Sequence, residues 1–232
     1  MRPGHGLIRA VIIDLDGTML DTVPDFCVAI NRMRAEFDLA PVGAEQVANL
    51  VGKGSENLIR GVLAFDFDTA GVETHLPAAM AAYQRHYLAI NGDHATLYDG
   101  VIEGLAAMQA MDLRMACVTN KPIAFARPLL AKMGLAPYFE LVYGGECLPR
   151  KKPDPMPMLQ VCADFDLAPA DVVAIGDSSN DAEAARAAGC WVLAVPYGYN
   201  HGRSIHEADS DGIVESLLEA ASLISSHNHS AN

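Results

Sequence analysis

The sequence predicts an α/β fold in which helices cover both faces of a parallel sheet and a helical segment follows the first strand. Beyond residue 100, short apolar runs alternate with segments of helical periodicity, a rhythm typical of parallel sheets. Between residues 22 and 91 the pattern is almost entirely helical and contains no convincing strand. We therefore expect a Rossmann-like parallel-sheet core that carries an inserted helical cap domain.

The first strand is predicted over residues 7–14, where β-branched residues predominate. A candidate capping side chain and a proline in Asp21-Thr22-Val23-Pro24-Asp25 indicate a helix start. The cap helices are predicted at about 26–37, 44–50, 55–65 and 72–90. We expect residues 22–91 to form the cap domain, and residues 1–21 and 92–232 to form the core domain.

The remaining elements alternate along the chain after Tyr98-Asp99-Gly100. Helices are predicted at about 101–111, 123–133, 155–165, 181–188 and 211–224. Strands are predicted at about 114–119, 139–143, 172–177 and 191–196. The tail at 225–232 is polar, so we expect it to fray.

The chain has a strong negative charge, since 16 Lys and Arg stand against 29 Asp and Glu, giving −13. That charge repels nucleic acids and anionic membranes, so neither is predicted as a partner. No apolar stretch reaches the roughly 20 residues that span a bilayer, and no signal peptide is visible. Five scattered cysteines without a C-x-x-C pair favour reduced thiols. These features predict a cytoplasmic protein, and they leave its oligomeric state open.

Two carboxylates, Asp14 and Asp16, stand two residues apart at the end of the first predicted strand. Gly17 permits a sharp turn directly after them. Two neighbouring anions are unfavourable unless a cation or a proton compensates them, so the pair suggests a divalent metal or a proton carrier. Taken alone, a turn with a capping aspartate explains the segment equally well.

Three later segments bring polar side chains to the same edge of the predicted sheet, where ligands of open parallel sheets bind. They are Thr119-Asn120, Lys152-Pro153, and Gly176-Asp177-Ser178 with Asp181. Together with the paired carboxylates they suit phosphoryl transfer, which needs a nucleophile and an acid. A hydroxyl and a lysine would bind phosphate, and oxygen ligands would suit magnesium.

The four segments resemble the motifs of the haloacid dehalogenase (HAD) superfamily of phosphatases, whose first motif reads D-x-D-G-T-[LV]. The sequence here is Asp14-Leu15-Asp16-Gly17-Thr18-Met19, and Met19 is a mild departure at an apolar position. The other three segments match the second, third and fourth motifs in order. The resemblance covers about residues 8–196, and the helical insertion agrees with the superfamily's helical-cap subgroup.

The resemblance implies catalysis through an aspartyl-phosphate intermediate. It makes Asp14 the nucleophile and Asp16 the general acid and base. It makes Thr119 and Lys152 ligands of the phosphate, with Asn120 as a companion. Lys152 is preferred to its neighbour, which is expected to be solvated, because it directly precedes a proline as the motif requires.

The same resemblance implies a Mg²⁺ cofactor. The ion would be held by the carboxylates of Asp14 and Asp177 and by the backbone carbonyl of Asp16. Asp181 would lie nearby or support the site.

The substrate is inferred from two further segments. Val51-Gly52-Lys53-Gly54 resembles the substrate-facing loop of capped members, although Lys53 is equally well explained as a solvated loop tip. Tyr197-Gly198-Tyr199-Asn200 resembles the bacterial phosphoglycolate phosphatases more than their mutase relatives. The resemblance thus implies hydrolysis of 2-phosphoglycolate, with Lys53 pairing with the substrate carboxylate when the cap closes.

Three alternatives remain open at this point. A phosphomutase or phosphatase acting on another small (sugar) phosphate would use the same motifs. A dehalogenase would need neither Asp16 nor magnesium. A phosphate-ligand sensor on a decayed phosphatase fold should lack a catalytic group, and none of the expected groups is missing.

Overall fold

The computed structural model of the chain describes residues 6–231. Residues 1–5 and 232, which belong to the predicted core domain, lie outside the described residues.

The main sheet confirms the predicted α/β class. The strands of the described chain are β1 (Ala10–Ile13), β2 (Leu20–Asp21), β3 (Thr96–Leu97), β4 (Arg114–Val118), β5 (Leu141–Tyr143), β6 (Val172–Gly176), β7 (Trp191–Ala194) and β8 (Gly212–Ile213). Six of them form one sheet in the order β5-β4-β1-β6-β7-β8, and each neighbouring pair is parallel. β1 lies near the middle, so the side chains that follow it reach the centre of the sheet edge.

Helices cover both faces of this sheet. In the described chain they are α1 (Val23–Glu36), α2 (Ala44–Ala48), α3 (Ser55–Leu63), α4 (Thr69–Ile90), α5 (Val101–Ala110), α6 (Ile123–Lys132), α7 (Met156–Asp164), α8 (Ser179–Ala188) and α9 (Leu217–Ala231). Val11 and Ile13 face the cluster that contains α5, α6 and α9. Ala10 and Ile12 face the cluster that contains α7 and α8. This alternation is the period-2 geometry of a strand buried on both sides.

The helices α1 to α4 pack around a separate apolar cluster, which also includes Phe125 of α6. Phe26 and Tyr87 stack within it with ring centroids 5.3 Å apart. This packing supports the predicted cap, and we retain 22–91 as its proposed extent. The helix predicted from residue 72 begins at Thr69, because Asp68 accepts a hydrogen bond from the Gly71 amide and caps it.

The chain passes between cap and core through a small ribbon that the sequence did not predict. β2 and β3 pair antiparallel, with Leu20 opposite Leu97 and Asp21 opposite Thr96. Strands of two residues are too short to show an alternating pattern. The ribbon begins four residues after Asp16, so the paired carboxylates lie directly beside this crossing.

The prediction for the C-terminal region was wrong in two respects. Residues 212–213 form the edge strand β8, and the last helix runs over Leu217–Ala231 instead of fraying after residue 224. The polar tail is held because the Asn228 amide bonds both backbone groups of Ile8, at 2.8 and 2.9 Å. The His227 ring also packs edge-on against Trp191.

In the described part of the chain, each helix is too short or too polar to cross a membrane.

Candidate active site

The first carboxylate, Asp14, follows β1 at the centre of the sheet edge and pairs with a buried lysine. Lys152 Nζ lies 2.8 Å from Asp14 Oδ1 and 2.6 Å from Asp181 Oδ1. It also donates to the carbonyl of Val118, at the end of β4, at 2.7 Å. Burial raises the pKa of Asp14 well above its ordinary value, although the Lys152 charge opposes that rise. The predicted choice of Lys152 thus coincides with a buried cation beside the predicted nucleophile.

Asp177 is held at the end of β6 by two donors and two close glycines. Its oxygens accept from the Thr18 hydroxyl at 3.0 Å and the Tyr199 amide at 2.7 Å. A Cβ at Gly17 or at Gly198 would stand 2.3 Å or less from an Asp177 side-chain atom. Gly17 also has a φ of 89°, which disfavours other residues. Larger residues at these two positions would displace the carboxylate.

Asp14, Asp177 and Asp181 form an acidic cluster whose ligand oxygens all lie within 4.8 Å of one another. Burial, and then the neighbouring Asp181, raise the pKa of Asp177 to about 7. Lys152 is the cation paired within this group, and with all three carboxyls ionised its single ammonium leaves two negative charges uncompensated. Hard carboxylate oxygens with that surplus fit a divalent cation such as magnesium. Asp181 belongs to this cluster directly, which extends the predicted supporting role.

Replacing Asp177 with Asn should make metal-free stability less dependent on pH. A carboxyl whose pKa rises on folding, here from 3.8 to about 7, makes the unfolding free energy fall as pH rises between those values. In the Asp177→Asn variant, the slope of the unfolding free energy against pH should therefore be shallower by up to about 1.4 kcal/mol per pH unit. An Asn fits the site, since its oxygen can accept from Tyr199 and its amide can donate to Thr18. Urea unfolding in EDTA between pH 4 and 8 measures the effect.

The exposed Asp99 supplies the matched control for this experiment. Asp99→Asn should keep the slope of the unaltered protein. An unchanged slope in Asp177→Asn would contradict the raised pKa of Asp177.

The second carboxylate, Asp16, pairs with a different lysine, Lys121. Its Oδ1 accepts from Lys121 Nζ at 2.8 Å and from the Thr22 hydroxyl at 2.7 Å. The sequence interpretation missed Lys121, although its place directly after Thr119-Asn120 was an available signal. At the start of α1, where a capping side chain was predicted, Asp21 Oδ1 accepts from the Val23 amide at 3.2 Å, whereas the Thr22 hydroxyl bonds Asp16 and makes no cap.

The two side chains of the second motif, those of Thr119 and Asn120, make different contacts. Thr119 is buried, and its hydroxyl oxygen accepts from the Lys121 amide at 3.1 Å, which leaves its O–H available as a donor. The Asn120 amide nitrogen donates to the carbonyls of Lys152 and Gly52, both at 2.9 Å. Because both of its N–H donors are engaged, the structure favours a bracing role for Asn120, and its role as a phosphate companion stays a prediction.

The loop before α3 closes the site from the cap side through its backbone carbonyls. The Gly52 carbonyl accepts from Asn120 and, at 3.2 Å, from the Asn180 amide. The cavity between this loop and the sheet edge has a volume of about 30 Å³, room for roughly two water molecules. Its walls include the predicted and newly found polar residues Asp14, Asp16, Thr119, Asn120, Lys121, Lys152 and Asp181, with Phe26, Leu58 and Tyr83 of the cap and Phe125 of α6. The loop and the sheet edge together form the walls of this cavity.

Lys53 does not share this cavity. Its side chain is exposed and is absent from the described lining, whereas Gly52 and Gly54 on either side of it are part of the wall. Its carbonyl accepts from Lys151 Nζ at 2.8 Å. Lys151, which was expected to be solvated, therefore ties the core to the cap loop. The role of Lys53 as a substrate ligand stays a prediction, and the structure gives it no contact with the site.

The turn at Tyr197-Gly198-Tyr199-Asn200 braces the site and the cap crossing together. The Tyr199 hydroxyl donates to Asp21 at 2.7 Å and accepts from the Thr22 amide at 2.8 Å, while its own amide holds Asp177. The Tyr197 hydroxyl donates to the Thr18 carbonyl at 2.9 Å. This turn therefore connects the acidic cluster to the start of α1.

Most of the chain matches one family of known proteins. A family model described as haloacid dehalogenase-like hydrolase matches residues 11–195. That range contains all four sequence motifs and the whole helical cap.

Two proteins that are similar to this chain over nearly its whole length carry the same name. The chain is 47% identical over 221 residues to the phosphoglycolate phosphatase of Thiobacillus denitrificans, with 94% of this chain and 96% of that protein covered. It is 48% identical over 217 residues to the phosphoglycolate phosphatase of Nitrosospira multiformis, with the same coverage of 94% and 96%. A crystal structure of a predicted phosphoglycolate phosphatase from Haemophilus somnus 129pt has a TM-score of 0.87 at 28% identity, covering 93% of this chain and 97% of that one.

Proposed function

The chain belongs to the haloacid dehalogenase-like hydrolases and is a phosphoric monoester hydrolase, and from this premise we propose that it hydrolyses 2-phosphoglycolate to glycolate and phosphate. The substrate is supported by the two phosphoglycolate phosphatases that match it over nearly their whole length. The chemistry is carried by one geometric observation: Asp14, Asp16, Thr119 and Lys152 line one cavity. We further propose that the enzyme acts in the cytoplasm.

In the proposed first step, an Asp14 carboxylate oxygen attacks the phosphorus atom in line with the leaving oxygen. The bond from phosphorus to the glycolate oxygen breaks as the aspartyl-phosphate bond forms. Asp16 gives its proton to the departing oxygen, so glycolate leaves as an alcohol. Lys152 and the Thr119 hydroxyl bind the non-bridging phosphate oxygens and hold the group against Asp14.

In the second step, water hydrolyses the intermediate. Asp16, now without its proton, takes one from a water molecule as that water attacks phosphorus. The bond between phosphorus and the Asp14 oxygen breaks, phosphate is released, and both carboxyls return to their starting state. Closure of the loop at Gly52 keeps other water out while the ester exists.

The acidic cluster would hold magnesium through the carboxylates of Asp14, Asp177 and Asp181, and the resemblance adds the backbone carbonyl of Asp16. When bound, the ion would supply positive charge that offsets the repulsion between carboxylates and phosphate. The same residues keep Lys152 directed at the phosphate, since Asp181 and Asp14 both pair with its ammonium.

The direct test is phosphate release from a panel of monoesters in excess magnesium and in excess EDTA. The panel should contain 2-phosphoglycolate, glucose 1-phosphate, glucose 6-phosphate and ethyl phosphate. We expect kcat/KM to be highest for 2-phosphoglycolate and to fall below detection in EDTA. Isomerised sugar phosphate without phosphate release would identify a phosphomutase instead. Full activity in EDTA would contradict the magnesium proposal, and binding without turnover would indicate a sensor.

A further inference from the structure

Lys121 is a second buried cation in the active-site cavity, separate from the lysine that faces the phosphate position. Its side chain is only 2% exposed, and its ammonium lies 2.8 Å from Asp16 Oδ1. The amide of the same residue donates to the Thr119 hydroxyl oxygen at 3.1 Å, so Lys121 and Thr119 are held in one turn. The proposed mechanism assigns Lys121 no role.

The surroundings of this ammonium leave it poorly satisfied. Phe26 and Tyr87 of the cap place their ring centroids 4.4 and 4.8 Å from Nζ. Within residues 6–231, Nζ donates one hydrogen bond, to Asp16, although an ammonium carries three N–H donors. Rings offer an electrostatic attraction but no lone pair comparable to that of a carboxylate. A second anionic acceptor would therefore complete the coordination of Lys121.

The position of Lys121 corresponds to the leaving-group end of the substrate. Asp16 must reach the leaving oxygen to protonate it, and Lys121 contacts Asp16 directly. In 2-phosphoglycolate the carboxylate carbon is attached to the CH₂ group that carries that oxygen. An ammonium beside the proton donor is therefore within reach of the substrate carboxylate, while Lys152 serves the phosphate end.

We propose that Lys121 binds the carboxylate of 2-phosphoglycolate and so determines the preference of this enzyme for a carboxylated substrate. This inference rests on the proposed function and assigns the specificity to a residue inside the cavity. Lys53, the sequence-based choice for the same task, is exposed and outside the described lining. The two lysines therefore give opposite expectations for one experiment.

The experiment compares two substrates that differ in the leaving group: 2-phosphoglycolate and ethyl phosphate, which lacks the carboxylate. Lys121→Met preserves most of the stem that packs against the rings and removes the charge. We expect the ratio of kcat/KM for 2-phosphoglycolate to that for ethyl phosphate to fall about 10²-fold, the effect of one hydrogen bond to a charged group. The loss should appear mainly in KM. Lys53→Ala should leave the ratio unchanged.

The ratio of the two kcat/KM values distinguishes a residue that binds the substrate carboxylate from one that only positions Asp16. If Lys121 only orients Asp16, Lys121→Met will slow both substrates by the same factor, the ratio will persist, and the inference is overturned. A ratio that falls in Lys53→Ala but not in Lys121→Met also overturns the inference. Should Lys121→Met fail to fold by circular dichroism, Lys121→Gln, which loses the charge but keeps a neutral donor, should still lower the ratio, and an unchanged ratio would overturn the inference.

A binding measurement gives a readout independent of turnover. Calorimetric titration of 2-phosphoglycolate into Asp14→Asn and into Asp14→Asn combined with Lys121→Met should show affinity about 10²-fold weaker in the double variant. Equal affinities overturn the inference. If the unaltered enzyme hydrolyses ethyl phosphate as well as 2-phosphoglycolate, the proposed substrate itself is wrong, and that result is distinct from a retained preference in the Lys121 variants.

Discussion

Asp14→Asn is expected to lower kcat for phosphate release by at least about 10⁴-fold while leaving the protein folded. An amide oxygen is a far weaker nucleophile than a carboxylate, and the first step of the proposed mechanism has no other attacking group. The fold should tolerate the change, because Asn is nearly isosteric and keeps an oxygen for Lys152. It also removes one negative charge from a cluster in which burial already raises the pKa of Asp14 well above its ordinary value.

Steady-state phosphate release and thermal unfolding in EDTA together test this expectation. The unfolding midpoint of Asp14→Asn should be no lower than that of the unaltered protein, since like-charge repulsion is relieved. Asp99→Asn, the same chemical change on the surface, should retain full activity. A rate within about tenfold of normal for Asp14→Asn would exclude this residue as the nucleophile.

Lys152→Met is expected to abolish activity and, unlike Asp14→Asn, to destabilise the fold. The substitution removes the proposed phosphate ligand and leaves Asp14 and Asp181 without their shared cation. Removing one partner of a buried ion pair costs about 3–5 kcal/mol, because the remaining charge is uncompensated. Urea unfolding at pH 8 in EDTA should show a loss of this size.

The loss in Lys152→Met should shrink at low pH, and this dependence identifies its electrostatic cause. Without Lys152 the folded-state pKa of Asp14 rises further above its ordinary value of 3.8. A carboxyl with a raised folded-state pKa costs stability above the unfolded value, and the cost disappears as pH falls below it. Arg150→Met removes an exposed positive charge two residues away and should change the stability little. A pH-independent deficit in Lys152→Met would point to lost packing instead.

The core and the sheet edge that carries the candidate site could be predicted from the sequence because both follow from local patterns. Continuous apolar runs such as Val172–Ile175 are typical of strands covered on both faces, and here Val173 and Ala174 face opposite clusters. Since the carboxyl ends of parallel strands share one edge, residues as distant as Asp14 and Lys152 were expected to meet. They form an ion pair at 2.8 Å.

The second cation and the closing contacts could not be predicted in the same way. Lys121 meets Asp16 across 105 positions of sequence, and its environment depends on two rings supplied by the cap. How a helical cap is placed over a sheet depends on loop contacts that have no periodicity, such as the bond from Lys151 to the Lys53 carbonyl. The same limit applies to Lys53, whose predicted role rested on its position alone and whose side chain lies outside the described cavity lining.

The turn around Tyr199 restricts how this enzyme can be re-engineered. One residue fixes a carboxylate of the acidic cluster through its amide and the entry to α1 through its phenol. Inserting or deleting one position there would misalign both attachments at once, so chimaeras made by grafting this turn should preserve its length and its tyrosine. Insertions should be better tolerated at an exposed position such as Phe65 than in this turn.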